Sequence, residues 1–139
     1  MIKAALFDLD GVVFDTESQY SVFWGMIGKE YHPEIPDFAQ IIKGQTLVQI
    51  YDKYFSDDKI FASKVNFCSV KDEQAKITAR LDEFEQNMSY NYIAGFEDFV
   101  KDLRNNGIKC AVVTSSNIPK MLNVYQQIGR AHAWTPVTW

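Results

Sequence analysis

Cysteine is scarce. The 139 residues hold two, Cys68 and Cys110, which excludes a disulfide-stapled mini-scaffold and a cysteine-built zinc site. Cys110 lies in an apolar strand pattern and reads as a buried thiol. Basic charge is also in short supply: 14 Lys and Arg against 18 Asp and Glu give a net charge of -4, with no basic stripe, and this argues against a nucleic-acid surface. No apolar run is long enough to span a bilayer. The opening "MIKAALFD" has no small-residue cleavage site and reads as a first strand, not a signal peptide. Patterns of the GxGxxG, P-loop and GxSxG kinds are missing, which removes the support for a dinucleotide enzyme, an ATPase or a serine hydrolase. Internal repeats and low-complexity stretches are missing too. Together these absences point to a soluble protein of a reducing, cytoplasmic setting, with neither nucleic acid nor membrane as partner.

Apolar residues are plentiful. They make up 47% of the chain, with 14% aromatic, so a packed core is expected. Residues 2–8 read as a short buried strand ending at Asp8. Tyr20, Phe23, Trp24, Ile27 and Tyr31 recur at helical spacing over 17–31, in a helix that Gly25 and Gly28 weaken. "HPEIP" breaks the chain, and His32 reads as a loop residue. Thr46 caps a helix whose inward face is Leu47, Ile50, Tyr51 and Tyr54. From 57 to 89 the pattern stays helical, with Ile77, Leu81, Phe84 and Met88 on one stripe. "NYIAG" at 91–95 reads as a linker. Phe96, Phe99, Val100 and Leu103 then mark a helix that stops at Gly107. "IKCAVVTSSN" is a second buried strand ending in hydroxyls, and Pro119 opens a helix with Met121, Val124, Tyr125 and Ile128 on its apolar side. A strand, a long helical insert, a helix, a strand and a helix make an α/β protein with a parallel sheet.

Chemistry gathers at the strand ends, where open parallel sheets bind ligands. "LFDLDGVVFDTE" at 6–17 places Asp8 and Asp10 at one tip. Thr114, Ser115 and Ser116 stand at the other. Two neighbouring carboxylates are hard to ionise together without a cation. Hard oxygen donors suit Mg²⁺, which takes one or two carboxylates plus phosphate oxygens and water. Gly11 allows a tight turn whose amides can face an anion. These parts suit a phosphoryl group, with Asp8 as nucleophile, Asp10 as acid and base, and Thr114 as a donor to phosphate. Asp15 carries two readings: it or Thr16 caps the helix that follows, with Glu17 favourable in the first turn, or it serves a substrate or gating role.

"FDLDGVVFDTE" resembles the first motif of the haloacid dehalogenase-like (HAD) phosphohydrolases, and "CAVVTSS" resembles their second. The Asp-Thr-Glu at 15–17 and "KGQT" at 43–46 are similar to the β-phosphoglucomutase branch. The resemblance covers roughly residues 1–129. It implies a Rossmann-like core at 1–15 and 91–129, a helical cap at 16–90 and an atypical tail at 130–139. It implies a Mg²⁺-dependent phosphatase of small phosphorylated metabolites, sugar phosphates foremost, working through an aspartyl-phosphate. Asp8 is then the nucleophile and Asp10 the acid/base. Leu9, Asp10, Thr114 and Ser115 bind phosphate. Asp8, with its carboxylate, and Asp10, with its backbone carbonyl, hold Mg²⁺. Tyr20 and Leu47 stand where the mutases of the branch have histidine and arginine, which favours a phosphatase over a phosphoglucomutase. The family's later lysine and acidic pair have no counterpart in "RAHAWTPVTW". Lys120 falls on the helix just after the second motif and is not assigned the lysine's role. The core is therefore expected to be incomplete, as in a C-terminally truncated chain, with weak or no turnover and self-association through an open sheet edge. The rivals are a mutase, a receiver-type signalling domain, whose acceptor acid lies on a later strand and which lacks a long insert, and a non-catalytic remnant.

Overall fold

The structure, a computed structural model, describes residues 2–128 and 136–138. In chain order it holds β1 (Ala4–Phe7), α1 (Glu17–Tyr31), α2 (Phe38–Ile41), α3 (Leu47–Tyr54), a 3₁₀ turn (Asp58–Phe61), α4 (Val70–Gln86), α5 (Phe96–Asn105), β2 (Lys109–Thr114), α6 (Ile118–Ile128) and β3 (Pro136–Thr138). The chain divides into two units, one made of Met1–Ser18 with Met88–Trp139, the other of Gln19–Asn87.

The first unit is built on a parallel sheet of order β1-β2-β3. Ala4 pairs with Lys109 and Phe7 with Val112, so β1 and β2 end close together. Val112 pairs with Pro136 and Thr114 with Thr138. The tail expected to hold no strand thus supplies β3, and the sheet has three strands where two were expected. An unpaired edge of β2 is a template for any extended segment that reaches it. The rest of the tail, His132 included, lies outside the described residues.

β1 differs from the buried strand the sequence suggests. It is an edge strand, and Leu6 is 68% exposed. Phe7, on the opposite face, stacks edge-on with Phe96 and Phe99 of α5 at 5.2 and 6.2 Å. Its apolar run therefore reports pairing and one-sided cover, not burial on both faces. "NYIAG" is not a slack linker either. Asp15 N–H donates to Asn91 O at 2.9 Å and Ile93 N–H to Val13 O at 3.0 Å. These bonds pin the turn that follows β1.

The second unit is helical, with a core in which Ile27, Phe55, Phe61 and Ile77 are fully buried. Burial of each such side chain contributes about 1.5–3 kcal/mol. α3 begins with the capping box expected of Thr46: Gln49 N–H donates to the Thr46 hydroxyl, and the Gln49 side chain accepts from Thr46 N–H. The helical stretch expected over 57–89 is broken. Asp57 turns the chain by accepting from Lys59 N–H, and Ser69 caps α4 by accepting from Asp72 N–H. α4 ends at Gln86, so Met88, although at helical spacing, belongs to the first unit. His32 lies just past α1, as a loop residue should, but its ring is buried and stacks on Phe38 at 5.4 Å. Its Nε2 donates to Tyr54 O at 2.6 Å and its Nδ1 faces the Glu34 carboxylate at 2.8 Å. That contact holds the Glu34 carboxyl below its ordinary range.

Candidate active site

The segment after β1 folds back on itself. Val13 and Phe14 N–H both donate to Leu9 O at 3.1 Å, and Gly11 N–H donates to Phe14 O at 2.8 Å. Gly11 has φ +71°, which an L side chain rarely adopts, and a Cβ there would come within 3.1 Å of the Glu17 side chain. Leu9, Val13 and Phe14 are buried and anchor the turn. Asp8 is exposed at the strand tip, and its Oδ1 accepts from Leu9 N–H at 2.8 Å.

Asp10 is the centre of a polar cluster. The Thr16 hydroxyl, wholly buried, donates to its Oδ1 at 2.8 Å. The Ser116 hydroxyl donates to its Oδ2 at 3.3 Å. Lys120 Nζ lies 2.8 Å from one carboxylate oxygen and 2.7 Å from the other. Behind Ser116 stands Thr114, buried at the end of β2. Its hydroxyl donates to Ser116 Oγ and accepts from Ser116 N–H, both at 3.0 Å. Hydroxyl hydrogens thus run from Thr114 through Ser116 to the Asp10 carboxylate, linking the two strand tips.

Of the residues expected at the site, Asp10 and Thr114 are brought together through Ser116. Asp8 sits two residues from Asp10 on the same turn. Leu9, expected among the phosphate donors, spends its N–H on Asp8. Ser115 is exposed at the β2 tip. The sequence alone does not mark Thr16 or Lys120 as members of the cluster, and it offers Ser116 only as one of the hydroxyls at the tip. A signal for Lys120 existed: it falls beside Met121 and four residues before Val124, on the stripe of α6 that packs inward. A lysine on an apolar stripe next to a strand tip calls for an anionic partner.

The donor set bears on a cation. Among the described residues no three His, Cys, Asp or Glu side chains converge well enough to hold a metal ion. Both Asp10 carboxylate oxygens face Lys120, which leaves the Asp8 carboxylate and the Asp10 backbone carbonyl as the oxygen donors. One carboxylate and one carbonyl make no closed cage. They do suit Mg²⁺, which keeps several waters and is completed by substrate phosphate.

A family model described as hydrolase, haloacid dehalogenase-like hydrolase, matches residues 2–137. The chain belongs to the haloacid dehalogenase-like hydrolases. Solved structures agree in fold with that family. A HAD hydrolase, family IA, variant 3, from Entamoeba histolytica superposes with TM-score 0.62 at 16% identity, over 91% of this chain and 55% of its own. A HAD family hydrolase from Deinococcus radiodurans, with bound phosphate and sodium, gives 0.60 at 18%, over 99% and 57%. A β-phosphoglucomutase from Clostridium difficile gives 0.54 at 23%, over 98% and 60%. This HAD chain therefore spans somewhat more than half the length of the structures it matches. No curated protein matches it. The α/β fold with parallel strands is the HAD family's Rossmann-like type, here with an incomplete core.

Proposed function

We propose that this HAD chain carries the nucleophile and the acid/base of a Mg²⁺-dependent phosphomonoesterase of small phosphorylated metabolites, sugar phosphates first among them. One observation supports this above the others: the tips of β1 and β2 are joined by a carboxylate, two hydroxyls and an ammonium around Asp10, in a chain of the HAD hydrolase family. An Asp8 oxygen attacks phosphorus and the ester P–O bond breaks, leaving an aspartyl-phosphate. Asp10, after taking up a proton from solvent, gives it to the departing alcohol oxygen. It then takes one from the water that attacks the aspartyl-phosphate, which releases inorganic phosphate and restores Asp8. Once the Asp8 carboxylate turns to phosphorus it frees Leu9 N–H, and Thr114 with the backbone at Leu9, Asp10 and Ser115 would contact the phosphoryl oxygens. When bound at Asp8 and the Asp10 carbonyl, Mg²⁺ would neutralise charge on those oxygens.

Phosphatase is favoured over mutase by two positions. The Tyr20 hydroxyl donates to Glu85 at 2.6 Å, and Leu47 packs against the helical core. Leu47 brings no charge to grip a second phosphate, and Tyr20 is not a cation. Among the described residues no helix is long and apolar enough to cross a membrane, and both cysteines are free thiols; these fit a cytoplasmic enzyme. The outer edge of β1, with Leu6 exposed beside it, supports self-association through an open sheet edge. Sedimentation of the chain should accelerate with concentration, and a constant monomer value would dismiss that contact.

The function is tested by beryllofluoride, a phosphoryl mimic, added with Mg²⁺ and read by ¹⁹F NMR. A protein-bound signal is expected that needs Mg²⁺ and disappears in Asp8→Asn. No bound signal, or one that survives the substitution, overturns the reading. Inorganic phosphate released from a sugar phosphate, with no isomer formed, separates phosphatase from mutase.

A further inference from the structure

Lys120 is an expensive residue where it stands. Its side chain is 4% exposed, while that of its partner Asp10 is 30% exposed. Burial of an ammonium is costly before any partner is counted, and such pairs seldom stabilise a fold more than apolar side chains of similar size. Position 120 adjoins Met121 and shares the inward side of α6 with Val124, both buried, so an apolar residue would pack there. The placement is firm nonetheless. Lys120 N–H donates to Asn117 Oδ1 at 2.8 Å in the first turn of α6, and Nζ reaches both Asp10 oxygens. Thr16 and Ser116 hold those same oxygens independently. The Asp10 carboxylate would therefore keep its place if the ammonium left.

We propose that Lys120 is a positioning residue with two posts. In the ligand-free chain it ties down Asp10. A dianionic phosphoryl group arriving at the strand tips draws the ammonium onto its own oxygens and releases the Asp10 carboxylate for its work. This rests on the phosphotransfer reading and adds to it a residue by which the site tells a monoester from a diester. An ammonium on a four-carbon stem is a mobile point charge that can change partners within the length of its side chain. The pull of an anion on it scales with charge. A dianion competes with a carboxylate for it, and a monoanion such as a phosphodiester competes weakly. Monoesters would open the pair and diesters would leave it closed.

The test uses the 139-residue chain with ¹⁵N-labelled lysine and inorganic phosphate as the probe. The Lys120 Nζ signal, assigned by its loss in Lys120→Arg, should shift as phosphate saturates and stay in place with dimethyl phosphate. Lys120→Met should weaken phosphate binding about tenfold or more, the scale of one charge-assisted contact, while Lys120→Arg, which keeps the charge, stays within about threefold. A buried lysine of purely structural use would show no shift in Nζ and unchanged phosphate affinity in Lys120→Met, and that result overturns the proposal. Should Lys120→Met fail to fold, the Nζ response of the unaltered chain and the affinity of Lys120→Arg decide the matter. The beryllofluoride signal at Asp8 is read separately. Its absence from the unaltered chain removes the phosphohydrolase reading, whereas its presence with an unmoved Lys120 removes only the two-post role.

Discussion

Gly28→Ala will destabilise the helical unit by about 2 kcal/mol, although the same exchange improves an ordinary helix by about 1 kcal/mol. A Cβ at position 28 of α1 would lie 2.5 Å from Phe38 Cβ and 2.9 Å from its Cγ, closer than carbon atoms approach. Phe38 has nowhere to go. It is buried, stacked on His32 and edge-on to Tyr54 at 5.2 Å and to Phe55 at 6.0 Å. Relief must come from shifting α1 against the segment that carries Phe38, and overpacking of this kind costs about 1–3 kcal/mol or more. Gly25, three residues earlier on the same helix, is the control. Nothing lies within 4 Å of a Cβ there, so Gly25→Ala should stabilise by roughly 0.5–1 kcal/mol. Urea melts of the two variants should move in opposite directions. Equal shifts would mean that the approach of α1 to Phe38 is not what position 28 serves.

The pair also shows what the sequence could and could not disclose. Both glycines read as weak points of a helix, and only the fold separates a tolerated one from a required one. Features set by near neighbours along the chain were legible: the span of α1, the Thr46 cap and the stop after α5 at Gly107, whose φ is +73°. Features set by distant pairing were not. The apolar run of β1 suggests a buried strand, but which strand lies at an edge depends on where residues 136–138 dock. Three residues are too short for any periodicity to announce them. Phe99 fitted the apolar stripe of α5 yet is exposed. At the candidate site the two acids and Thr114 were legible because residues of those types end apolar runs. Thr16, like Asp15, suits a helix cap by its place, and its hydroxyl instead donates to Asp10. The place of Lys120 in the chain does not match the family's lysine, yet the first turn of α6 carries it back to the tip of β1.

Asp8→Asn and Asp10→Asn, two positions apart, will fail in different ways. Asp8 is exposed, and its one described bond, the acceptance of Leu9 N–H at Oδ1, survives in asparagine, whose Oδ1 also accepts. The variant should melt within about 0.5 kcal/mol of the unaltered chain, as surface substitutions do. An amide is a poor nucleophile toward phosphorus, so hydrolysis of an aryl phosphate should fall at least about 10³-fold and the bound beryllofluoride signal should vanish. Asp10→Asn keeps the shape and removes the charge that faces Lys120. One edge of the new amide then offers N–H donors to an ammonium and a hydroxyl that both donate, while the ammonium stays almost wholly covered. Removing one partner of a buried pair costs about 3–5 kcal/mol. Asp10 is partly open to water, which lowers the expected loss to about 2–3 kcal/mol. Denaturation of the two variants side by side, with hydrolysis measured on the same samples, checks both claims. Equal stabilities would show that the Lys120 pair is not closed in solution. Hydrolysis retained in Asp8→Asn would take the nucleophile's role from Asp8 altogether.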